Sequence, residues 1–553
     1  MTVSGVKARD ASGLPTLAAD VRKQILAVVS RNGGHLASSL GAVELAIALV
    51  RAFEPQTDRV LWDVGHQAYA WKLLTGRSDR FDTLRRFGGV SGFPNPDESV
   101  CDAFVAGHAG AALAAAEGLA VARDCRGGGE HVVAVVGDAA LANGMALEAL
   151  GNCTALTKRL ILVVNDNASA TTDCPIDGLL DACGFARLGP VDGHDLAALA
   201  AAFEEAKAAS RPVAVRVTTV KGKGFLPAET DPTAWHGVGP FDLAAFKYVK
   251  NVNPLNTTGW SEAFGAAVCA AARRDPKVCA LTAAMREGTD LAPFAREFPG
   301  RFFDVGICEE QLVTFAAGLA KGGMKPVVAV YSSFLQRAVD QVMHDVCLMN
   351  LPVVFGVDRA GAVGADGRTH HGMFDVPMLR CLPNLSILQP KDAAELTAMV
   401  EAALARRAPV AIRYPRGRPD LNDRDFKDIE WGRAEQLSNP DAPLQLWALG
   451  DQVAKALKVA GILAARGMAA GVVNARFVKP FDADLLTRQR AAGARIASLE
   501  NGAVAGGFGE ALGADLRFGW PDAYVPHGSV EDLESAYGLT AEAIADKLLT
   551  SNP

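Results

Sequence analysis

VVAVVGDAALANGMALEALGNCTALTKRLILVVNDN, residues 132–167, is the stretch whose reading decides the fold. The apolar run 132–136 ends in Gly137-Asp138, an Ala-rich helical segment follows, and a second apolar run, 160–164, ends in Asn165-Asp166-Asn167. That pattern predicts a strand, a helix and a second, parallel strand. Parallel strands end on the same side of their sheet, so Asp138 and Asn167 are expected together at one carboxyl edge. A carboxylate and an amide oxygen there suit a hard divalent cation. Mg²⁺ takes few protein oxygens and completes its shell with phosphate and water. An ordinary strand-helix-strand unit whose loops carry Asp and Asn would read the same way, so the rest of the chain has to decide.

Outward from this stretch the alternation continues. Residues 17–30 read as a helix, and 59–64 and 213–219 as further strands. Strands alternating with helices predict a parallel sheet covered on both faces. The polar, Pro-containing NVNPLNTTG at 251–259 reads as a boundary. Beyond it, 280–281, 302–305, 325–331, 352–357 and 411–414 are strand candidates, and the segment 422–441 is again polar and charged. A third segment carries strand candidates at 444–448, 470–474 and 495–499 and a helix from Ala541. The expectation is an α/β protein of three domains with mostly parallel sheets, at residues 1–250, 251–430 and 431–553.

Composition narrows the function classes. A chain of 553 residues exceeds one core, and 50% apolar with 21% charged residues is ordinary for a folded protein. The net charge of −7 offers no basic face for nucleic acid, and an anionic small substrate would need a local cationic pocket. The ten cysteines are scattered without a C-x-x-C, which fits reduced thiols and a cytoplasmic location. The N-terminus does not read as a signal peptide, and no apolar run is long enough to span a membrane.

Histidines mark the first segment. His35, His66 and His108 each follow a glycine, which permits close approach to a ligand, and imidazole donates or accepts protons near neutral pH. His236 follows the basic turn Lys221-Gly222-Lys223-Gly224, which reads either as a phosphate contact or as an exposed, solvated turn. In the second segment Glu309 and Glu310 stand before a helix, where acids are ordinary partners of the helix dipole. Tyr331, Arg337, Arg359, Asp366, His370 and Arg416 fall at strand ends or in the loops after them, where gathered arginines can bind phosphate bidentately; on a helix face they would instead be solvated.

These motifs together carry a resemblance. GGHLASSLGAVELAIAL, LWDVGHQAYAWKLLTGR, GDAALANGMALEAL with NDN, GPVDGHD, WHGVGPF, ICEEQLVTFAAGLAKGG, YSSFLQRAVDQVMHDV, DRAGAVGADGRTHHGMFD, RYPRG and RFVKPFDADLL occur in order from His35 onward. The chain resembles the 1-deoxy-D-xylulose-5-phosphate synthase family, within the transketolase-like thiamine diphosphate enzymes. The resemblance implies a diphosphate-binding, a pyrimidine-binding and a C-terminal domain, and assembly as a homodimer. It implies decarboxylation of pyruvate and transfer of the two-carbon unit to D-glyceraldehyde 3-phosphate. By the same resemblance Asp138, Asn167 and the carbonyl of Ser169 bind Mg²⁺, with Ala139, Ala140, His66, His108 and Lys221 along the thiamine diphosphate. Glu309 addresses the aminopyrimidine and Phe334 stacks on it. His35, His66, His236 and His370 surround the reacting carbons. Tyr331, Arg337, Arg359, Asp366 and Arg416, with His35 and His370, hold the acceptor's phosphate and hydroxyls.

The chain departs from the family pattern in four places. Gly137-Asp138-Ala139 replaces Gly-Asp-Gly; if the third position requires φ > 0, alanine costs about 1 kcal/mol there. Ala109-Gly110-Ala111-Ala112 lacks the family's hydroxyls, each of which would contribute about 1 kcal/mol as a hydrogen bond to phosphate. Glu309-Glu310-Gln311 replaces Glu-Gln-His, and a long mobile insertion after Asn167 is missing, which predicts altered gating. A paralogue with another donor or acceptor, and a non-catalytic homologue, are the alternative readings.

Overall fold

Why the apolar runs become central strands is plain from the sheet they build. The computed structural model describes residues 1–157, 159–167, 175–248, 258–422 and 428–551. It divides into two units, Met1–Asn251 and Val252–Pro553. In the first unit, strands β1 (Arg59–Trp62), β2 (Val132–Gly137), β3 (Ile161–Asp166), β4 (Ala186–Asp192) and β5 (Val213–Thr218) form a sheet in the order β1-β2-β3-β5-β4. All four pairings are parallel. Residues 132–136 and 161–165 are fully buried, as expected for inner strands covered on both faces. Between β2 and β3 lie a 3₁₀ turn, Asp138–Ala142, and the helix Gly144–Leu156. Asn143 starts that helix, its Oδ1 accepting the Met145 N–H at 3.1 Å. Gly137 pairs with Asn165, so the chain leaves both strands at one edge, toward Asp138 and Asn167.

β4 escapes a sequence reading because it is an edge strand. Its residues ARLGPVD alternate between half-buried and exposed and give no apolar run. A two-residue antiparallel pairing, Gly34 with Val238 and His35 with Gly237, joins segments two hundred positions apart.

The second unit has two sheets. Strands β6 (Val278–Thr282), β7 (Phe302–Asp304), β8 (Lys325–Tyr331), β9 (Val354–Asp358), β10 (Ser386–Leu388) and β11 (Val410–Arg413) pair in parallel in the order β7-β6-β8-β9-β11-β10. The other sheet is built from β12 (Glu435–Ser438), β13 (Leu444–Ala448), β14 (Gly471–Asn474), β16 (Arg495–Ala503) and β17 (Leu516–Trp520), ordered β12-β14-β13-β16-β17, with only β12 antiparallel. One strand crosses over. β15 (Phe477–Lys479) leaves the second sheet's segment and adds antiparallel to β10. One apolar cluster accordingly runs from Val330 and Phe355 through Ile387 to Trp447, Val473 and Ile496. No helix among the described residues is long and apolar enough to cross a membrane.

Phe477 is fully buried at this crossing and meets the Trp431 ring edge-on at 5.2 Å. Phe477→Ala is expected to cost about 3–5 kcal/mol in urea unfolding, whereas Leu226→Ala, at a residue 73% exposed, should stay within about 0.5 kcal/mol. Equal small losses would mean that β15 does not bind the two sheets together.

Candidate active site

Three of the glycine-adjacent histidines meet in the first unit. The rings of His35 and His236 lie 5.8 Å apart, those of His66 and His236 5.3 Å, and those of His35 and His66 6.2 Å. Two devices deliver them. His66 follows β1 through Val64 and Gly65, both at positive φ (57° and 82°), a costly conformation for a β-branched valine that tends to be kept where a site demands it. Its carbonyl accepts the Ser39 hydroxyl at 3.0 Å. His35 and His236 are brought together by the short antiparallel pairing at 34–35 and 237–238, and the Ser38 hydroxyl lies 3.3 Å from His236 Nδ1. Burial pushes His66 well below the usual histidine value, and His236 and His35 add to the effect. Burial, with the nearby Lys221 charge, brings His236 down to about 4. Both rings are therefore neutral near pH 7. His66 Nδ1 is buried with no hydrogen-bond partner among the described residues.

The cation candidates stand at the edge that the sequence predicts. Asp138 is 3% exposed, and burial lowers the Lys221 pKa while the charge of Asp138 raises it, which places the lysine in that carboxylate's field. Asn167 Oδ1 is buried and has no hydrogen-bond partner among the described residues. A buried oxygen left unpaired is costly, and a cation or a ligand donor there would satisfy it. Ser169 lies outside the described residues. No group of three or more His, Cys, Asp or Glu suited to a metal occurs among the described residues, so a cation here would rest on one carboxylate and amide or carbonyl oxygens.

The concern about Ala139 resolves in its favour. Ala139 and Ala140 lie inside the 3₁₀ turn, and Ala139 is not among the residues at positive φ. The glycine-requiring position is elsewhere. Gly110 has φ 82°, and a Cβ there would come within 2.2 Å of Asn143 Oδ1. Asp63, just past β1, fixes the loop that carries His108, its two carboxylate oxygens accepting Gly110 N–H at 2.9 Å and Ala112 N–H at 3.0 Å.

A buried network holds the Lys221 turn. Arg22 donates to both oxygens of Glu44 at 2.6 Å and to the Lys223 carbonyl at 2.9 Å. His194 Nε2 accepts the Val220 N–H at 2.9 Å, which leaves Nδ1 to donate to Glu44 at 3.0 Å. Burial alone would raise the Glu44 carboxyl, but hydrogen bonds from His194 and Arg22 outweigh it and hold it at about 2.

The second unit gathers its own set. Glu309 opens the helix Glu309–Lys321; burial raises its pKa, its own backbone N–H and the Arg337 guanidinium pull the other way, and its Oε2 has no hydrogen-bond partner among the described residues. Phe334 stacks on Tyr331 (5.3 Å, 13°) and meets His370 edge-on at 5.6 Å. The Arg359 guanidinium lies over the Tyr331 ring at 4.3 Å. Arg359 sits at φ 58° directly after β9. Its Nη1 donates to Ser261 Oγ, the Gly288 carbonyl and Asp358 at 2.7–2.8 Å, while Nε and Nη2 carry no hydrogen bond among the described residues. A guanidinium clamped on one side presents its other edge to an anion. Arg416, half exposed, pairs with Asp366 at 3.2 Å. Arg337, placed with the acceptor arginines by the sequence reading, is felt most directly by Glu309; its Nη1 is buried without a hydrogen-bond partner among the described residues.

The motifs and their geometry meet known proteins here. A family model described as 1-deoxy-D-xylulose-5-phosphate synthase matches residues 2–179 and 169–219. Models described as transketolase, pyrimidine binding domain, and transketolase, C-terminal domain, match 256–420 and 432–544. A transketolase from Campylobacter jejuni aligns over 98% of this chain and 100% of its own, at 19% identity and a TM-score of 0.48. The 1-deoxy-D-xylulose-5-phosphate synthases of Pelotomaculum thermopropionicum and Desulforudis audaxviator are each 44% identical to it, covering 97% and 96% of this chain and 94% and 93% of theirs. The chain belongs to the 1-deoxy-D-xylulose-5-phosphate synthase family. The alignment with the first of these synthases runs over 601 positions, more than the whole 553-residue chain, so that relative carries residues absent here. The synthase model is matched in two pieces that overlap at residues 169–179.

Relative to the synthase motifs, the sequence reading assigned no role to Asp63, Ser38, His194, Ser261 or Asp358. Asp63 and Asp358 had a usable signal, an acid at the end of an apolar strand. Ser38 and Ser261 act across long sequence separations and had none, whereas His194 follows Gly193 just as His35, His66 and His108 follow their glycines.

Two outcomes are expected. The unfolded chain takes up a proton on His236 near pH 6.5 and the folded one near 4, so stability falls as pH drops through that window. His236→Asn should remove about 1–2 kcal/mol of the loss between pH 7 and 5 in denaturant titrations; an unchanged pH slope would refute the burial of a neutral ring. Ala139→Gly should lower stability by up to about 1 kcal/mol, because a helical turn favours alanine over glycine; a gain would mean that the alanine is strained.

Proposed function

We propose that the chain is a thiamine diphosphate-dependent carboligase. It breaks the bond between the carboxylate and the keto carbon of pyruvate, releases CO₂, and joins the remaining two carbons to the aldehyde carbon of D-glyceraldehyde 3-phosphate. The aldehyde oxygen takes up a proton, and the product is 1-deoxy-D-xylulose 5-phosphate. We further propose three domains at residues 1–250, 251–430 and 431–553, a homodimer, and a cytoplasmic location.

The observation that carries the reading is Glu309. A buried carboxyl with an unpaired oxygen costs on the order of 1–3 kcal/mol, and a raised pKa on a carboxyl whose Oε2 has no hydrogen-bond partner among the described residues marks a candidate ligand contact. A ring nitrogen that exchanges a proton with Oε2 fits that environment, with Phe334 offering a flat aromatic surface for the same ring. In the first unit Asp138, Asn167 and the Ser169 carbonyl would hold Mg²⁺, and Lys221, His66, His108 and the backbone at Ala139 and Ala140 would accompany the diphosphate. Thiamine diphosphate, when bound, supplies the electron sink for the negative charge left by loss of CO₂.

The side chains do the rest. His35, His66, His236 and His370 hold or move protons at the substrate oxygens, and neutral rings such as His66 and His236 can accept one without prior deprotonation. Nε and Nη2 of Arg359, with Arg416, Arg337 and Tyr331, bind the acceptor phosphate, and Asp366 takes a hydroxyl.

The test is direct. Purified protein with thiamine diphosphate, Mg²⁺ and pyruvate should release CO₂ and form the pentulose phosphate when D-glyceraldehyde 3-phosphate is added, read by product mass. Glu309→Ala should lower turnover by at least about 10³-fold without lowering the melting temperature. Cofactor binding that is undetectable by calorimetry would overturn the enzyme reading, and CO₂ release without the pentulose phosphate would point to a different acceptor.

A further inference from the structure

Of the adjacent pair His370-His371, only the first faces the aromatic residues of the candidate site. His371 is turned away and 3% exposed. Its Nδ1 accepts the Val363 N–H at 3.0 Å, and its Nε2 stands 3.0 Å from the Pro526 carbonyl. A ring nitrogen that accepts a backbone N–H carries no proton, so the proton lies on Nε2 and is donated to Pro526. One neutral imidazole thus ties both ends of loop 360–372 to the segment that follows the second sheet.

Other contacts follow the same seam. Gly367 (φ 73°) packs so closely that a Cβ would lie 2.8 Å from the Cβ of His527, and at Gly364 (φ 82°) a Cβ would lie 3.2 Å from the Gly528 carbonyl. Gly361 and Gly372 pair through both backbone hydrogen bonds at 2.8 Å and close the base of the loop. The loop carries Asp366, the partner of Arg416, and His370 beside Phe334, and the Val363 carbonyl itself receives Arg416 Nη1 at 3.4 Å. Asp366, Arg416 and His370 belong to the set assigned to the phosphorylated acceptor.

We propose that His371 is a positioning residue for the acceptor: it latches loop 360–372 onto residues 526–528 and so sets the affinity for the phosphorylated aldehyde, without touching it. The inference rests on the carboligase reading for its substrate, but the latch itself does not. It distinguishes the acceptor from the donor, because the loop contributes nothing assigned to pyruvate decarboxylation apart from His370. Glutamine can replace the latch, since its amide oxygen accepts and its amide nitrogen donates with a similar spacing; leucine cannot.

The experiment compares wild type, His371→Gln, His371→Leu and Gly367→Ala as full chains. Hydrogen exchange should be at least tenfold faster at the Val363 amide in His371→Leu and near wild type in His371→Gln. In steady-state assays His371→Leu and Gly367→Ala should raise KM for D-glyceraldehyde 3-phosphate at least tenfold, with kcat and KM for pyruvate within threefold of wild type, and His371→Gln should restore the acceptor KM. Unchanged exchange at Val363 overturns the latch. Faster exchange with an unchanged acceptor KM, or with both KM values raised alike, overturns the positioning role. A wild-type protein that makes no pentulose phosphate while His371→Leu still exchanges faster overturns the carboligase reading and leaves the latch standing.

Discussion

A parallel sheet releases all its strands at one edge, and that constraint organises the chemistry of both units. In the first unit Asp63, Asp138, Asn167 and Thr219 follow the carboxyl ends of β1, β2, β3 and β5. In the second, Tyr331, Arg359 and Tyr414 end or follow β8, β9 and β11. Loops at such an edge begin from fixed points about 4.8 Å apart, so a short chain segment suffices to bring groups from distant parts of the sequence together. The stiff, buried strands take no part in the chemistry. They set where it begins.

Burial then tunes what the edge presents. His66 and His236 are held neutral, Glu309 is pushed toward its protonated form, and Lys221 is lowered although the charge of Asp138 opposes it. Withdrawal from water is the largest cause in each of these four. The charged groups that stay buried are paired or clamped instead: Glu44 by Arg22 and His194, Arg413 by Asp375 at 2.9 Å, and Arg359 by Asp358. An unpaired buried charge is far costlier than a neutral group, so the buried ions are held by partners while the histidines made neutral by burial stay free to exchange protons. Positive φ at Val64 and Arg359 belongs to the same division, since strained backbone persists where surrounding contacts force it.

Much of this was legible in the order of residues. The runs at 132–136, 213–219 and 444–448 are strands because stretches rich in Val, Leu and Ala suit inner positions covered on both faces, and they were read without error of type. β4, β10, β12, β15 and β17 were not seen, because edge or three-residue strands such as ARLGPVD and FVK carry no apolar periodicity. The histidines were legible as candidates through their glycines, but the meeting of His35 with His236 depends on a two-residue pairing that no local pattern encodes. The worry over Ala139 was of the same kind. A motif substitution gave its identity, and only the backbone angle could say that the methyl group is unstrained there.

The sequence by itself determined the family, the parallel α/β architecture and the inventory of acids, histidines and arginines, because periodicity and residue chemistry are properties of the chain in one dimension. Only the tertiary structure decided which of two adjacent histidines faces the site and which ties down its loop, that Asp63 rather than a hydroxyl anchors the His108 loop, and that β15 binds two sheets into one core. The physical reason is that hydrogen-bond direction and desolvation depend on which groups lie within a few ångströms in space, and for His371 with Pro526 or His194 with Glu44 those neighbours are 150 or more positions away along the chain.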